Sequence, residues 1–190
     1  MPQVPDLLLL DYTRFNQLSL QLARQIEATK ARFDLIISIS RGGALVSRIL
    51  SDHLDLSILN LGIRSYSSIE ERTGVTFYQP LSVTVSGRRV LLVDEISDTG
   101  STFVAALDYL QQQGVAVVKT ACLVVKSKSQ LRPDFVVEKT DQWVVFPYEI
   151  RETLVAMRGW LEESPELRER LYTHFQSYGV ALEVIEGYLT

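Results

Sequence analysis

Apolar runs and amphipathic segments alternate along most of this chain. Residues 12–31 place Leu18, Leu22 and Ile26 on one face at a four-residue spacing, which predicts a helix that covers a sheet. Strands are predicted from short apolar or β-branched runs, at residues 34–40, 56–63, 89–93 and 115–125. Helical spacing returns at residues 44–54 and 102–113. The alternation predicts an α/β fold with an open, mainly parallel twisted sheet flanked by helices.

The last third of the chain changes character. Extended runs at residues 135–137 and 142–146 are followed by a helical pattern from residue 151 onward, in which Ser164 and Pro165 open the second helix. We therefore expect one domain over residues 1–150 and a helical C-terminal extension over 151–190, packed on the domain or in an oligomer interface. The polar stretch 64–82 buries little, which predicts a mobile loop that includes a hairpin at 75–85.

Composition excludes several classes of function. The net charge of -4 and the pI of about 5.3 leave no overall positive field for a nucleic acid. The four leucines at 7–10 lack basic neighbours and are too short a run to span a membrane, so we expect a cytoplasmic protein. Cys122 is the single cysteine and lies in an apolar run, which predicts a buried, unreactive thiol. With two histidines and that cysteine, no zinc site of usual spacing can be drawn.

The segment 90–102 carries the chemistry. An apolar strand ends in two acids, Asp94 and Glu95, and Asp98 follows at the start of a loop that opens a helix. Backbone N–H groups at that helix start, freed by a glycine and joined by hydroxyls, form a cradle for a phosphate at residues Asp98, Thr99, Gly100, Ser101 and Thr102. Carboxylates at the strand end can hold ribose hydroxyls directly or through Mg²⁺. One ligand, a phosphorylated ribose, satisfies both groups.

This segment resembles the phosphoribosyl pyrophosphate (PRPP) signature of the type I phosphoribosyltransferases. The resemblance covers roughly residues 34–149 and extends to the purine-salvage branch, the hypoxanthine and xanthine-guanine enzymes. It implies the fold of that family, with a small hood region beside the sheet, and a Mg²⁺-dependent glycosyl transfer. In that reaction a ring nitrogen of a base displaces pyrophosphate from C1 of the ribose through an oxocarbenium-like state.

Three further segments support the branch. The run 38–43 is similar to the pyrophosphate loop, whose Arg41 and Gly42 are expected to share a cis peptide. Lys126 stands where the family places a lysine on the six-position oxygen of the purine, and a group that only donates favours hypoxanthine, guanine or xanthine over adenine. In the run 143–149, the resemblance implies that Trp143 stacks on the base, the backbone of Val144 reads its edge, and Glu149 faces a second Mg²⁺.

The resemblance also assigns roles around the reaction centre. Asp98 matches the acid that faces N7 of the purine and handles its proton, while Asp94 and Glu95 are expected to act in catalysis and to bind metal. The loop at residues 64–82, with Ser65 and Tyr66, resembles the lid that closes over the centre in this family. The chain departs from the family in the order Asp94-Glu95, which moves one carboxylate out by a methylene.

The sequence therefore predicts transfer of the phosphoribosyl group of PRPP to N9 of a 6-oxopurine. The expected partners are PRPP and a purine base, with neither nucleic acid nor membrane, and the chain is expected to form a homodimer or a higher homo-oligomer. Two alternatives stay open: a non-catalytic regulator of the same fold that senses PRPP or a nucleotide, and an enzyme that acts on adenine or a pyrimidine.

Overall fold

The structure, a computed structural model, describes residues 4–65 and 75–189. The chain divides into two compact units. Residues 18–141 form the first, here called the sheet unit, and residues 1–17 with 142–190 form the second, here called the terminal unit. The boundary between the two units lies at Gln142, and the N-terminal residues belong to the same unit as the C-terminal ones. The domain at 1–150 and the helical extension at 151–190 stay predictions.

The sheet unit contains seven strands and two complete helices among the residues described, together with residues 18–28 of helix α1 (Tyr12–Ala28). Its strands are β2 (Leu35–Ser40), β3 (Ile58–Ser65), β4 (Val75–Gln79), β5 (Arg89–Val93), β6 (Ile96–Ser97), β7 (Val117–Val125) and β8 (Phe135–Lys139). Its helices are α2 (Gly43–Leu54) and α3 (Ser101–Gln112).

The strand order is β4-β3-β2-β5-β7-β6, and β8 also pairs with β7. Each pairing is parallel except that of β4 with β3, which is antiparallel. The prediction of an open, mainly parallel sheet flanked by helices is confirmed. Residues 75–79 pair with β3, so the hairpin predicted within residues 75–85 is wrong for this strand, because its hydrogen-bonding partner precedes it in the chain.

Strand order reverses between β2 and β5. The chain steps from β2 outward to β3 on one side and from β5 outward to β7 on the other. Because crossovers between parallel strands are right-handed, α2 and α3 lie on opposite faces of the sheet. In sheets of this kind the loops after the two central strands part at the point of reversal and leave a crevice, which is the usual place for a ligand.

Alternation along β5 shows why a nearly continuous apolar strand suits the centre of this sheet. Val90 and Leu92 join a core cluster with Phe103, Ala106 and Leu110 of α3. The intervening Leu91 and the following Val93 are also fully buried, although they point to the opposite face. A strand covered on both faces needs apolar residues at every position, as the sequence predicts.

The terminal unit is built on a two-stranded parallel sheet of β1 (Leu7–Leu9) and β9 (Trp143–Val145). Its helices are α4 (Ile150–Ala156), α5 (Arg158–Glu163), α6 (Pro165–Ser177) and α7 (Leu182–Gly187). Apolar residues of these helices form one core with Leu7 and Val145. The Ser164 hydroxyl accepts a hydrogen bond from the Leu167 N–H (3.3 Å), which confirms the predicted cap of α6.

The two residues named for the lid lie at the edge of the described residues. Ser65 ends β3, and Tyr66 lies outside the residues that the structure describes. The lid therefore stays a prediction.

Asp134, in the turn before β8, is hydrogen-bonded to residues of β7. Its carboxylate accepts hydrogen bonds from Lys119 Nζ (2.7 Å) and from the backbone N–H (2.8 Å) and hydroxyl (3.0 Å) of Thr120. Burial alone would raise the pKa of Asp134, but these hydrogen bonds outweigh it and hold the pKa below its usual 3.8. A carboxyl group with a depressed pKa stabilises the fold above its unfolded pKa, and the effect is lost as the pH falls through the folded value.

We therefore predict that Asp134→Asn lowers the free energy of unfolding by roughly 1 to 3 kcal/mol at pH 7, since hydrogen bonds to a charged group are removed. The difference from the wild type should shrink as the pH falls below 3.8. Urea unfolding of both proteins across this range measures it. Asp108→Asn, which changes an exposed acid on α3, is the matched control and should have little effect. An equal loss in both variants, or a loss independent of pH, would contradict this account.

Candidate active site

The predicted pyrophosphate loop and the paired acids follow the two strands at the reversal point. Ser38 of β2 is in register with Val93 of β5, so the residues after each strand emerge side by side. A Cβ added to Gly42 would collide with the carboxylate of Glu95, so that carboxylate already fills the space of a side chain. The structure therefore brings Gly42 and Glu95 into contact, from segments 53 residues apart by number.

Gly43 lets the start of α2 approach the end of β5. A Cβ there would lie 2.5 Å from the Val93 carbonyl oxygen and 3.0 Å from Cα of Asp94. Both atoms are backbone and cannot swing away, so any larger residue would push α2 from the sheet. The Gly-Gly pair thus has two separate uses, one against a side chain and one against the backbone.

A cis peptide bond is present in the predicted pyrophosphate loop, but one bond earlier than expected. It joins Ser40 to Arg41, whereas the resemblance placed it between Arg41 and Gly42. The expectation for the Arg41–Gly42 bond is wrong, because the cis bond comes directly at the end of β2 rather than within the turn. Arg41 itself is exposed.

The paired acids sit on a fixed backbone. Asp94 is 8% exposed, and one of its carboxylate oxygens accepts the N–H of Glu95 (3.0 Å). The Glu95 carbonyl accepts the N–H groups of Leu123 and Val124 of β7, at 3.1 and 3.2 Å. Two carboxylates are thus presented at the carboxyl end of the central strand, one nearly buried and one half-buried.

The predicted phosphate loop has a glycine where one is needed. Gly100 precedes α3 with φ of +80°, a conformation that other residues rarely adopt. A Cβ there would also lie 2.7 Å from the Ser129 hydroxyl and 2.8 Å from the Leu131 backbone nitrogen. No side chain caps α3, although the hydroxyls of Thr99 and Ser101 are hydrogen-bonded to each other at 2.9 Å.

A second segment, residues 126–131, holds this loop in place. The N–H of Lys126 donates to the Ser97 carbonyl (3.0 Å), and the N–H of Gln130 donates to the Thr99 carbonyl (2.9 Å). The hydroxyls of Ser97 and Ser129 are 2.8 Å apart. No local pattern predicts this support, because it depends on residues about thirty positions away that carry ordinary turn side chains.

Asp98 forms ion pairs with two lysines. Its Oδ1 lies 3.2 Å from Lys126 Nζ and 3.0 Å from Lys128 Nζ. The cap position of α3 belongs to Gly100, so Asp98 does not cap that helix. The contact between Asp98 and Lys126 joins two predicted site residues, while Lys128 was not predicted. The only feature of the sequence that could have indicated Lys128 is its position two residues after Lys126.

Trp143, Val144 and Glu149 belong to the terminal unit. The Trp143 side chain is 36% exposed and meets Trp160 edge to face, with ring centroids 6.3 Å apart. Val144 is in register with Leu8 across the two-stranded sheet, and among the described residues β9 pairs with β1 alone. Glu149 precedes α4, and its side chain does not cap that helix.

Cys122 lies in the apolar core of the sheet unit. Cys122 is fully buried, and burial raises the pKa of its thiol, to which the nearby Asp94 adds, so the prediction of an unreactive cysteine is supported. No group of three or more His, Cys, Asp or Glu within residues 4–65 and 75–189 is placed to hold a metal ion by itself. None of the described helices has the length and apolar character to cross a membrane.

Comparison with known proteins agrees with this geometry. A family model described as the phosphoribosyl transferase domain matches residues 9–153. A xanthine-guanine phosphoribosyltransferase of Idiomarina loihiensis is 26% identical over 132 residues, which cover 68% of this chain and 79% of that protein. An adenine phosphoribosyltransferase of Bordetella pertussis is 31% identical over 104 residues, 50% of this chain and 57% of that one.

The fold has solved relatives as well. The crystal structure of a purine phosphoribosyltransferase from Pyrococcus horikoshii superposes with a TM-score of 0.68 at 28% identity, covering 75% of this chain and 94% of that chain. The matched family model spans most of the chain and includes both loops at the reversal point. The chain therefore belongs to the phosphoribosyl transferase domain family, as its sequence predicted.

Proposed function

We propose that this protein transfers the phosphoribosyl group of PRPP to N9 of a 6-oxopurine and releases pyrophosphate. One observation carries the proposal most directly. The Arg41–Gly42 turn, the acids Asp94 and Glu95 and the loop before α3 all open at the reversal of strand order, where α/β sheets bind ligands. PRPP carries a phosphate at one end of the ribose and a pyrophosphate at the other. A protein that binds it needs these three segments side by side.

The loop at residues 98–102 is proposed to bind the 5′-phosphate. Helix α3 has twelve residues and lacks a side-chain cap, so its first N–H groups are suited to an anionic ligand. The hydroxyls of Thr99 and Ser101 flank this helix start. Gly100 has a positive φ, and a left-handed residue next to helical ones allows successive backbone N–H groups to converge on an anion.

Asp94 and Glu95 are proposed to hold the ribose and Mg²⁺. Mg²⁺ commonly takes one or two protein carboxylates and completes its shell with water and substrate oxygens. A pair of adjacent carboxylates fits that donor set, even though the described residues contain no larger cluster. When bound, the ion would neutralise charge on the departing pyrophosphate. Glu149 is proposed as a further ligand on the basis of the family resemblance alone.

Asp98 and Lys126 are proposed to handle the base. Lys126 donates to the six-position oxygen, and Asp98 faces N7. As the bond from N9 to C1′ forms and the bond from C1′ to the pyrophosphate oxygen breaks, the purine gains positive charge, and the Asp98 carboxylate accepts the N7 proton. The contact of 3.2 Å between the two side chains supports a shared place at the base. Trp143 and the Val144 backbone are proposed to stack on the base and read its edge.

Adenine is the second candidate base, because relatives named adenine phosphoribosyltransferase also match this chain. The lysine favours the 6-oxopurine, since an ammonium group donates to a carbonyl oxygen but not to an exocyclic amine. We also propose a cytoplasmic location, in keeping with the single buried thiol. A homodimer or larger homo-oligomer is proposed on the basis of apolar side chains exposed on the terminal helices, such as Val155 (43%) and Val184 (44%).

The first test is turnover. Purified protein with PRPP and Mg²⁺ is offered hypoxanthine, xanthine, guanine, adenine, uracil and orotate separately, and nucleotide formation is followed. We expect turnover of a 6-oxopurine, and a loss of about 100-fold or more in Asp98→Asn, since proton transfer by a positioned group contributes about that much. Tight binding of PRPP without turnover of any base would contradict the proposal and favour a regulator. Turnover of adenine alone would contradict the assigned base.

The second test separates two lysines that contact the same acid. Lys126 is 14% exposed in its side chain and Lys128 is 58% exposed, while both approach Asp98 Oδ1 within 3.2 Å. We expect Lys126→Met to raise KM for the 6-oxopurine by about tenfold or more, because a donor to the base is lost. Lys128→Met removes the same charge and should change KM by less than about threefold, as expected of an exposed ion pair. Equal effects of the two variants in steady-state kinetics would show that Lys126 acts only through Asp98.

A further inference from the structure

The antiparallel pairing of β4 with β3 contains an extra residue. Gly62 pairs with Gln79, and Ile63 pairs with Phe77, so Tyr78 has no partner across the ladder. Phe77 packs against the core and stacks on Tyr109, with ring centroids 5.1 Å apart. A bulge of this kind redirects one side chain and is common beside active sites. The residue redirected here is a tyrosine that is 49% exposed.

The ring of Tyr78 crosses the backbone of β3 at Gly62. A Cβ added to Gly62 would lie 2.6 Å from a ring carbon of Tyr78, so a side chain at this position would displace the ring. The guanidinium of Arg64 lies 5.8 Å from the ring centroid on the same strand. The close approach to Gly62 and the guanidinium over the ring face therefore set the position of the Tyr78 ring.

The crossing brings the Tyr78 hydroxyl to the end of β2. It donates a hydrogen bond of 3.0 Å to the carbonyl oxygen of Ser40. The Ser40 hydroxyl also donates to Asn60 Oδ1, at 3.4 Å. The Ser40 carbonyl belongs to the same planar peptide group as the N–H of Arg41. A hydrogen bond that fixes the carbonyl therefore also fixes the direction of the Arg41 N–H and strengthens it as a donor.

We propose that Tyr78 is a positioning residue for pyrophosphate: its hydroxyl holds the Ser40 carbonyl and thereby sets the Arg41–Gly42 turn. Tyr78 itself touches the loop and not the reacting atoms. The inference rests on the proposed function, because it assigns a purpose to a loop whose ligand is the pyrophosphate of PRPP. It adds a residue of β4 to which the family resemblance gave no role.

The test removes only the hydroxyl, with Tyr78→Phe. Isothermal titration measures binding of inorganic pyrophosphate with Mg²⁺, and separately of ribose 5-phosphate, which lacks the pyrophosphate. Tyr109→Phe is the matched control, since the Tyr109 hydroxyl accepts the Leu81 N–H (3.2 Å) beyond the end of the same strand. Thermal unfolding of all three proteins shows whether the variants remain folded.

We expect Tyr78→Phe to weaken pyrophosphate binding about three- to tenfold, the effect of one neutral hydrogen bond. Its binding of ribose 5-phosphate should equal that of the wild type, and Tyr109→Phe should bind both ligands normally. Normal pyrophosphate binding by Tyr78→Phe would overturn the inference alone, as would an equal loss for both ligands, which indicates a general structural role. Failure of the wild type to bind either ligand would instead contradict the proposed function, and this inference with it.

Discussion

The geometry of the site depends on how closely residues 129–131 approach Gly100. The backbone nitrogen of Leu131 and the hydroxyl of Ser129 occupy the space that a side chain at position 100 would need. The positive φ of Gly100 costs another residue about 1 to 2 kcal/mol, but the collision with backbone cannot be relieved by turning a side chain. The segment after β7 thus packs on the loop after β5, and this packing requires a residue without a Cβ at position 100.

This packing also organises the charges of the sheet unit. The chain has a net charge of -4, yet Asp98 is contacted by two lysines that follow β7. Ion pairs between exposed groups contribute about 0 to 1 kcal/mol to stability, so the Lys128 contact explains little of the fold. Weakly held charges of this kind can exchange partners when an anionic or carbonyl-bearing ligand enters. The loop proposed for the phosphate therefore contains Asp98, and the segment that supports this loop contains Lys126. These are the acid and the lysine proposed for the base.

Most strands and helices of the sheet unit were predictable, because they follow from local patterns of apolar and polar residues. The apolar run of β5 ends at Val93 in the structure as in the prediction, and α3 begins at Ser101, one residue before the predicted start. Parts that depend on distant residues were missed. Strand β1 pairs with β9 from the far end of the chain, and β6 has two residues, too few for any periodic signal. Ser129 and Tyr78 belong to no sequence motif. Ser129 contacts the loop through close packing at Gly100, and Tyr78 reaches its partner because of the bulge in β4.

The most direct test of the central claim is whether the loop at Gly100 binds the sugar phosphate. Binding of ribose 5-phosphate is titrated calorimetrically to the wild type and to Gly100→Ala, with Gly87→Ala as the matched control. Gly87 shares a positive φ of +74°, but a Cβ there meets nothing within 4 Å. The account predicts that Gly87→Ala binds as the wild type does and that Gly100→Ala binds at least about tenfold more weakly, a loss of about 1.4 kcal/mol. Wild-type affinity in Gly100→Ala would contradict it.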